Sequence, residues 1–189
     1  MKAVFSMAAI RRKMLQVLER WNESKAKKAF LLVGARQTGK TYIVREFARE
    51  HFAHLAEVNF LEDEKAIRVL SEAQDAEDFV SRLSLICGMP VIPGETLVFL
   101  DEIQEAPDLI TVVKFLVEDG RHRVVISGSM LGTEMKGFRS FPVGYVQIER
   151  MFPLDFEEFC WSQNVPQAII DDIREAFDAR KGLDAGLHE

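Results

Sequence analysis

"AFLLVGARQTGKTYIVREFARE", Ala29 to Glu50, sets five apolar residues before a glycine-bearing octet and a helical pattern after it. A continuous apolar run suits a strand buried on both faces of a parallel sheet. Ile43 and Phe47, with Phe52 beyond them, give the segment after the octet a face that packs on such a sheet. The octet, residues 34–41, meets the pattern G-x-x-x-x-G-K-[ST] at Gly34, Gly39, Lys40 and Thr41. A plain turn accounts for the two glycines but not for lysine and threonine together.

The pattern has a physical reading. Glycines remove side chains that block close approach, so successive backbone N–H groups of Gly34, Ala35, Arg36, Gln37, Thr38 and Gly39 can face phosphate oxygens at a helix N-terminus. Lys40 then places an ammonium on the β- and γ-phosphates, and the Thr41 hydroxyl is a ligand for Mg2+, which prefers oxygen donors.

Downstream, "TLVFLDEIQ" is a second compact apolar run, ending in Asp101 and Glu102. A carboxylate at a strand's end is suited to hold the waters of that magnesium, and this assigns Asp101 to the metal. Glu102, beside it, is placed to accept a proton from a water attacking the γ-phosphorus. "RVVISGS" is a third run of this kind, and Ser127 and Ser129 at its tip can orient that water or sense the γ-phosphate, or simply end the strand as small residues do; Gln104 ranks behind them as a candidate. Developing charge on the phosphate calls for an arginine, from this chain or a neighbour, for which Arg139 and Arg150 qualify by position only; Arg36, inside the octet, could instead face a neighbouring group or the substrate.

Around these motifs, "HLAEVNF" reads as a strand, and "FVSRLSLIC" and "DLITVVKFLVED" as helices, so strands alternate with helices. That alternation predicts an α/β three-layer sandwich with a central parallel sheet and ligands at the carboxyl ends of its strands. Ahead of the first strand, Ile10, Met14, Leu18 and Trp21 define an amphipathic helix. The character of the chain changes near Gly137 to Pro142, and the remainder reads as a small helical/β appendage. The expected divisions are residues 1–28 as basic helix and linker, 29–150 as the core, and 151–189 as a C-terminal helical extension.

Composition narrows the classes. A chain of 189 residues with 48% hydrophobic content supports one sizeable core. No apolar run approaches the roughly 18 residues of a membrane-spanning helix. Cys87 and Cys160 lie far apart without pairing or metal-ligand spacing, which suits a reducing compartment, and the expected location is cytoplasmic. His51 and His54 are three apart, but no Cys or carboxylate cluster completes a metal site with them. The net charge of −6 divides into +6 over Met1 to Lys28 and −12 over the rest. A basic helix of this kind is either a solvated face or a dock for nucleic acid or an acidic partner.

"LLVGARQTGKT", "FLDEIQEAP", "ISGS", "SFPVG" and "MFPLDFEEF", in that order, resemble the prokaryotic AAA-type P-loop ATPases of the AAA+ superfamily whose nucleotide domain precedes a C-terminal domain of unknown function. The resemblance runs from about Trp21 to about Trp161. It implies ATP as the nucleotide, an Asp101–Glu102 magnesium and water pair, and a sensor-like serine at Ser127 or Ser129. It also implies a second domain beyond this chain; the apolar stripe Phe152, Leu154, Phe156 and Phe159 is either surface that packs on that domain or the inner face of a locally packed helix, and a protein partner or further copies of the chain are the other expected partners. Two activities are consistent with it: hydrolysis of ATP, or a nucleotide-binding switch that turns ATP over negligibly without the second domain.

Overall fold

A computed structural model describes residues 10–24, 26–129 and 144–180. Its element order is α1 (Lys13–Glu23), β1 (Ala29–Val33), α2 (Lys40–His51), β2 (His54–Asn59), α3 (Glu64–Ser71), α4 (Ala76–Cys87), β3 (Thr96–Asp101), a 3-10 turn (Ile103–Glu105), α5 (Leu109–Asp119), β4 (Arg123–Gly128), β5 (Val146–Arg150), α6 (Phe156–Ser162) and α7 (Gln167–Asp178). The five strands form one parallel sheet in the order β2-β3-β4-β1-β5. Among the described residues no helix is long and apolar enough to cross a membrane.

Successive strand residues point to opposite faces, and the sheet therefore builds two cores. Phe30, Leu32, Leu97, Phe99 and Val125 meet Leu18 and Trp21 of α1 and Ile43, Val44 and Phe47 of α2. Leu31, Val58, Val98, Leu100, Val124 and Ile126 meet residues of α3, α4 and α5 on the other side. Every residue of β1 and β3 is buried, as their unbroken apolar runs require. The three-layer α/β sandwich read from the sequence is the observed architecture.

Local chemistry sets the boundaries. Helix α1 begins at Lys13, three residues after Ile10, which is exposed. The helix α3 has no counterpart in the sequence reading. Its signal is Asp63, whose carboxylate accepts from the Lys65 and Ala66 N–H groups as an N-cap, followed by buried Ala66 and Leu70. Beyond 129, the change of character near Gly137 to Pro142 and the candidate Arg139 lie outside the described residues. The next strand, β5, pairs in parallel with β1 and so belongs to the main sheet.

The chain separates into two compact units, Met14–Pro153 with the sheet, and a smaller one made of Met1–Lys13 and Leu154–Glu189. In the smaller unit, Asp155 caps α6 in a reciprocal box with Glu158. Buried Glu158 pairs with Arg12 at 3.2 Å, and the Arg11 guanidinium lies 4.1 Å over the Trp161 ring. Phe156, Phe159 and Phe177 remain exposed there.

Trp21 anchors the face of the sheet that carries α2. Its ring centroid lies 5.4 Å from that of Phe30, its Nε1 donates to the Lys28 carbonyl at 2.9 Å, and the Arg123 guanidinium sits 4.8 Å over it. That same guanidinium donates to the carbonyls of Trp21, Asn22 and Ser24, closing the C-terminal end of α1. Trp21→Ala is expected to cost about 3–5 kcal/mol in chemical denaturation. A loss below about 1 kcal/mol would mean that α1 is not an integral part of the core.

Candidate phosphate and metal site

All five strands deliver polar residues to one edge of the sheet, because parallel strands all end on the same side. β1 runs into residues 34–41, β3 ends in Asp101, β4 leads to Ser129, and β2 ends in Asn59, in register with Asp101. Arg150, at the end of β5, is in register with Val33 and reaches the same edge.

The octet bridges β1 and the first turn of α2. Gly39 has φ 91°, a left-handed conformation that L side chains rarely adopt. Gly34 is required by the fold itself as well. A Cβ there would stand 2.3 Å from the Met151 carbonyl oxygen, whose own residue hydrogen-bonds back to Val33. Gln37, also at positive φ (65°), shapes the turn. Buried Thr38 donates its hydroxyl to the Ala35 carbonyl at 3.0 Å. Arg36 is exposed at the tip of the loop.

Lys40 is 5% exposed, and its ammonium donates to the carbonyls of Gly34 (3.0 Å) and Ala35 (2.9 Å), holding the loop closed around it. Burial pushes this amine below the ordinary lysine range, Glu102 and Asp101 oppose the shift, and Arg36 adds to it.

Asp101 is almost fully buried and fully engaged. Its Oδ2 accepts from the Thr41 hydroxyl at 2.8 Å and from Asn59 Nδ2 at 3.4 Å; its Oδ1 accepts from the Glu102 N–H at 3.1 Å and from the Ser127 hydroxyl. Thr41 and Asp101, assigned to one metal from the sequence, are therefore in direct contact. Their paired oxygens are hard donors of the kind Mg2+ takes, so the residues fit that ion.

The two serines divide their work. Ser127 binds Asp101, whereas Ser129 donates to Glu102 Oε2 at 3.2 Å. Glu102 occupies the left-handed region, φ 57° and ψ 47°, an arrangement that costs on the order of 1–3 kcal/mol. It turns the chain away from β3 at the point where its carboxylate meets Ser129.

Sequence reasoning misses Asn59 and ranks Gln104 behind the two serines. Asn59 is a polar residue closing an apolar strand, the same signal that singles out Asp101. Gln104 hydrogen-bonds both Glu102 and Ser129. The fold also gives His51 carboxylate neighbours that its spacing from His54 does not announce. Glu19 and Glu50 meet His51, with ligand atoms within 4.8 Å of one another, because α1 lies against the end of α2. His54 is not in that group, and the group is mostly exposed on the surface.

A sequence profile of the AAA domain family matches residues 26–160, which contain every residue of this site. No curated protein matches the chain. Among solved structures, PCH-2 of C. elegans is 14% identical with a TM-score of 0.44, over 88% of this chain and 45% of its own. The Pif1 helicase from Candida albicans is 10% identical with a TM-score of 0.46, over 88% of this chain and 44% of its own. The chain thus spans less than half the length of either protein.

Proposed function

We propose that this chain, which belongs to the AAA domain family, binds ATP together with Mg2+ at residues 34–41 and hydrolyses it to ADP and phosphate. Nucleotide binding and hydrolysis is the general chemistry of that family. The observation that carries the finer reading is the Thr41–Asp101 contact, which joins the octet to the acids at the end of β3.

In this reading the N–H groups of residues 34–39 and the Lys40 ammonium bind the phosphates, and Thr41 and Asp101 would hold the ion. The ion would neutralise charge on the phosphate oxygens. Glu102 takes a proton from water as the water oxygen bonds to the γ-phosphorus, the bond to the β-phosphate oxygen breaks, and ADP leaves. Ser129 contacts the γ-phosphate or the water, and Arg36, Arg150 or an arginine of another copy meets the remaining charge. The exposed Phe156 and Phe159 of α6 and Phe177 of α7 support a covering partner over those helices.

Titration of the chain with ATP and with adenosine, each in Mg2+ and in EDTA, tests this, alongside phosphate release. Expected are binding of ATP strengthened by Mg2+, no comparable binding of adenosine, and phosphate accumulating with time. Equal affinity for ATP and adenosine would remove the phosphate site and with it the proposal.

A further inference from the structure

The 3-10 turn Ile103–Glu105 is pinned by Ile103, which is fully buried, and it directs the half-buried Gln104 back across the end of β3. The Gln104 amide is used at both ends. Its Oε1 accepts from the Ser129 N–H at 3.2 Å, and its Nε2 donates to the Ser129 hydroxyl at 3.1 Å and to Glu102 Oε2. The Ser129 hydroxyl completes the ring by donating to the same Glu102 oxygen. Glu102 and Ser129 stand at the ends of different strands, and Gln104 bonds to both.

We propose that Gln104 is a positioning residue that binds the Glu102 carboxylate and the tip of β4 into one unit, so that the base and the serine facing the γ-phosphate hold a fixed spacing. This rests on the hydrolytic reading above. An amide suits the task because it offers an acceptor to the Ser129 N–H and donors to a carboxylate at once. A carboxylate at the same position could do only the first. The chain turns into the left-handed region at Glu102, and without the amide that carboxylate would keep its bond from the Ser129 hydroxyl but lose the second donor. Displacement of a reacting group by about 1 Å costs about a hundredfold in rate.

The test uses Gln104→Ala and the near-isosteric Gln104→Glu in the full chain, with and without Glu102→Gln. The expected result is a fall in kcat of about tenfold to a hundredfold for both single variants, with ATP affinity changed by less than about twofold. In the Glu102→Gln background Gln104→Ala should add no further loss, since a positioning residue has nothing left to position. Amide exchange at Ser129, read without any turnover, should accelerate in Gln104→Ala. Should kcat for Gln104→Ala stay within about twofold of native while Glu102→Gln is strongly slowed, positioning by Gln104 is wrong and the hydrolytic reading stands. If Glu102→Gln is itself no slower than native, the hydrolytic reading fails first.

Discussion

Lys40→Ala is expected to weaken ATP binding by about thirtyfold to a thousandfold, the scale on which truncating one partner of a buried charge pair acts. In the free chain this ammonium is already desolvated and bound to the Gly34 and Ala35 carbonyls. On the proposed reading it is thus held inside the loop that would receive the phosphates, with little of its surface left in water. The pH dependence gives a second readout. Burial lowers the Lys40 pKa below 10.5, so in the window beneath 10.5 the folded chain carries fewer protons than the unfolded one. Stability therefore rises as pH climbs through that window, and Lys40→Ala should flatten this rise. ATP affinity should move the opposite way, falling with pH as the cation is lost. Calorimetric titrations across the alkaline range measure the affinity, and denaturant midpoints the stability. Unchanged ATP affinity in Lys40→Ala would defeat the assignment of the octet.

What the sequence discloses here depends on how far apart the interacting residues are. The strands β1, β3 and β4 are legible because burial on both faces leaves an unbroken apolar run, and the octet is legible because its chemistry is local. Asp101 is legible as a polar tip on such a run, yet its four partners come from α2, β2, β4 and its own neighbour. Only register brings Asn59 beside it, and register is set by the whole sheet. Gln104 is only faintly marked in the sequence because a glutamine shortly after an acidic pair has no pattern of its own. Its meaning arises from the left-handed turn at Glu102, which no propensity announces for a glutamate. Helix α3 is hidden for a simpler reason: its eight residues are too short a run for periodicity to stand out, and the cap at Asp63 is the stronger mark. For Gly34 the physical reason differs between the two levels, room for a ligand in the sequence pattern and room for the Met151 carbonyl in the fold.

Glu102→Gln is expected to reduce phosphate release by about a hundredfold to ten-thousandfold, the range for loss of a general base, while ATP affinity is kept. The substitution is close to neutral for the fold. The amide retains a carbonyl oxygen to accept from Gln104 and Ser129, as the carboxylate does now, and glutamine meets the same backbone demand at φ 57°. What it cannot do is take a proton from water. A drop in turnover with retained binding and an unchanged unfolding midpoint therefore isolates the chemical step from the cradle at residues 34–41. The same pair of measurements separates the two activities consistent with a phosphate site. A hydrolase loses turnover in Glu102→Gln. A nucleotide-dependent switch shows tight ATP binding with negligible phosphate release in the native chain already, and Glu102→Gln then changes nothing. In that second outcome the hydrogen bonds that hold the Glu102 carboxylate serve to fix a nucleotide-bound shape rather than to move a proton.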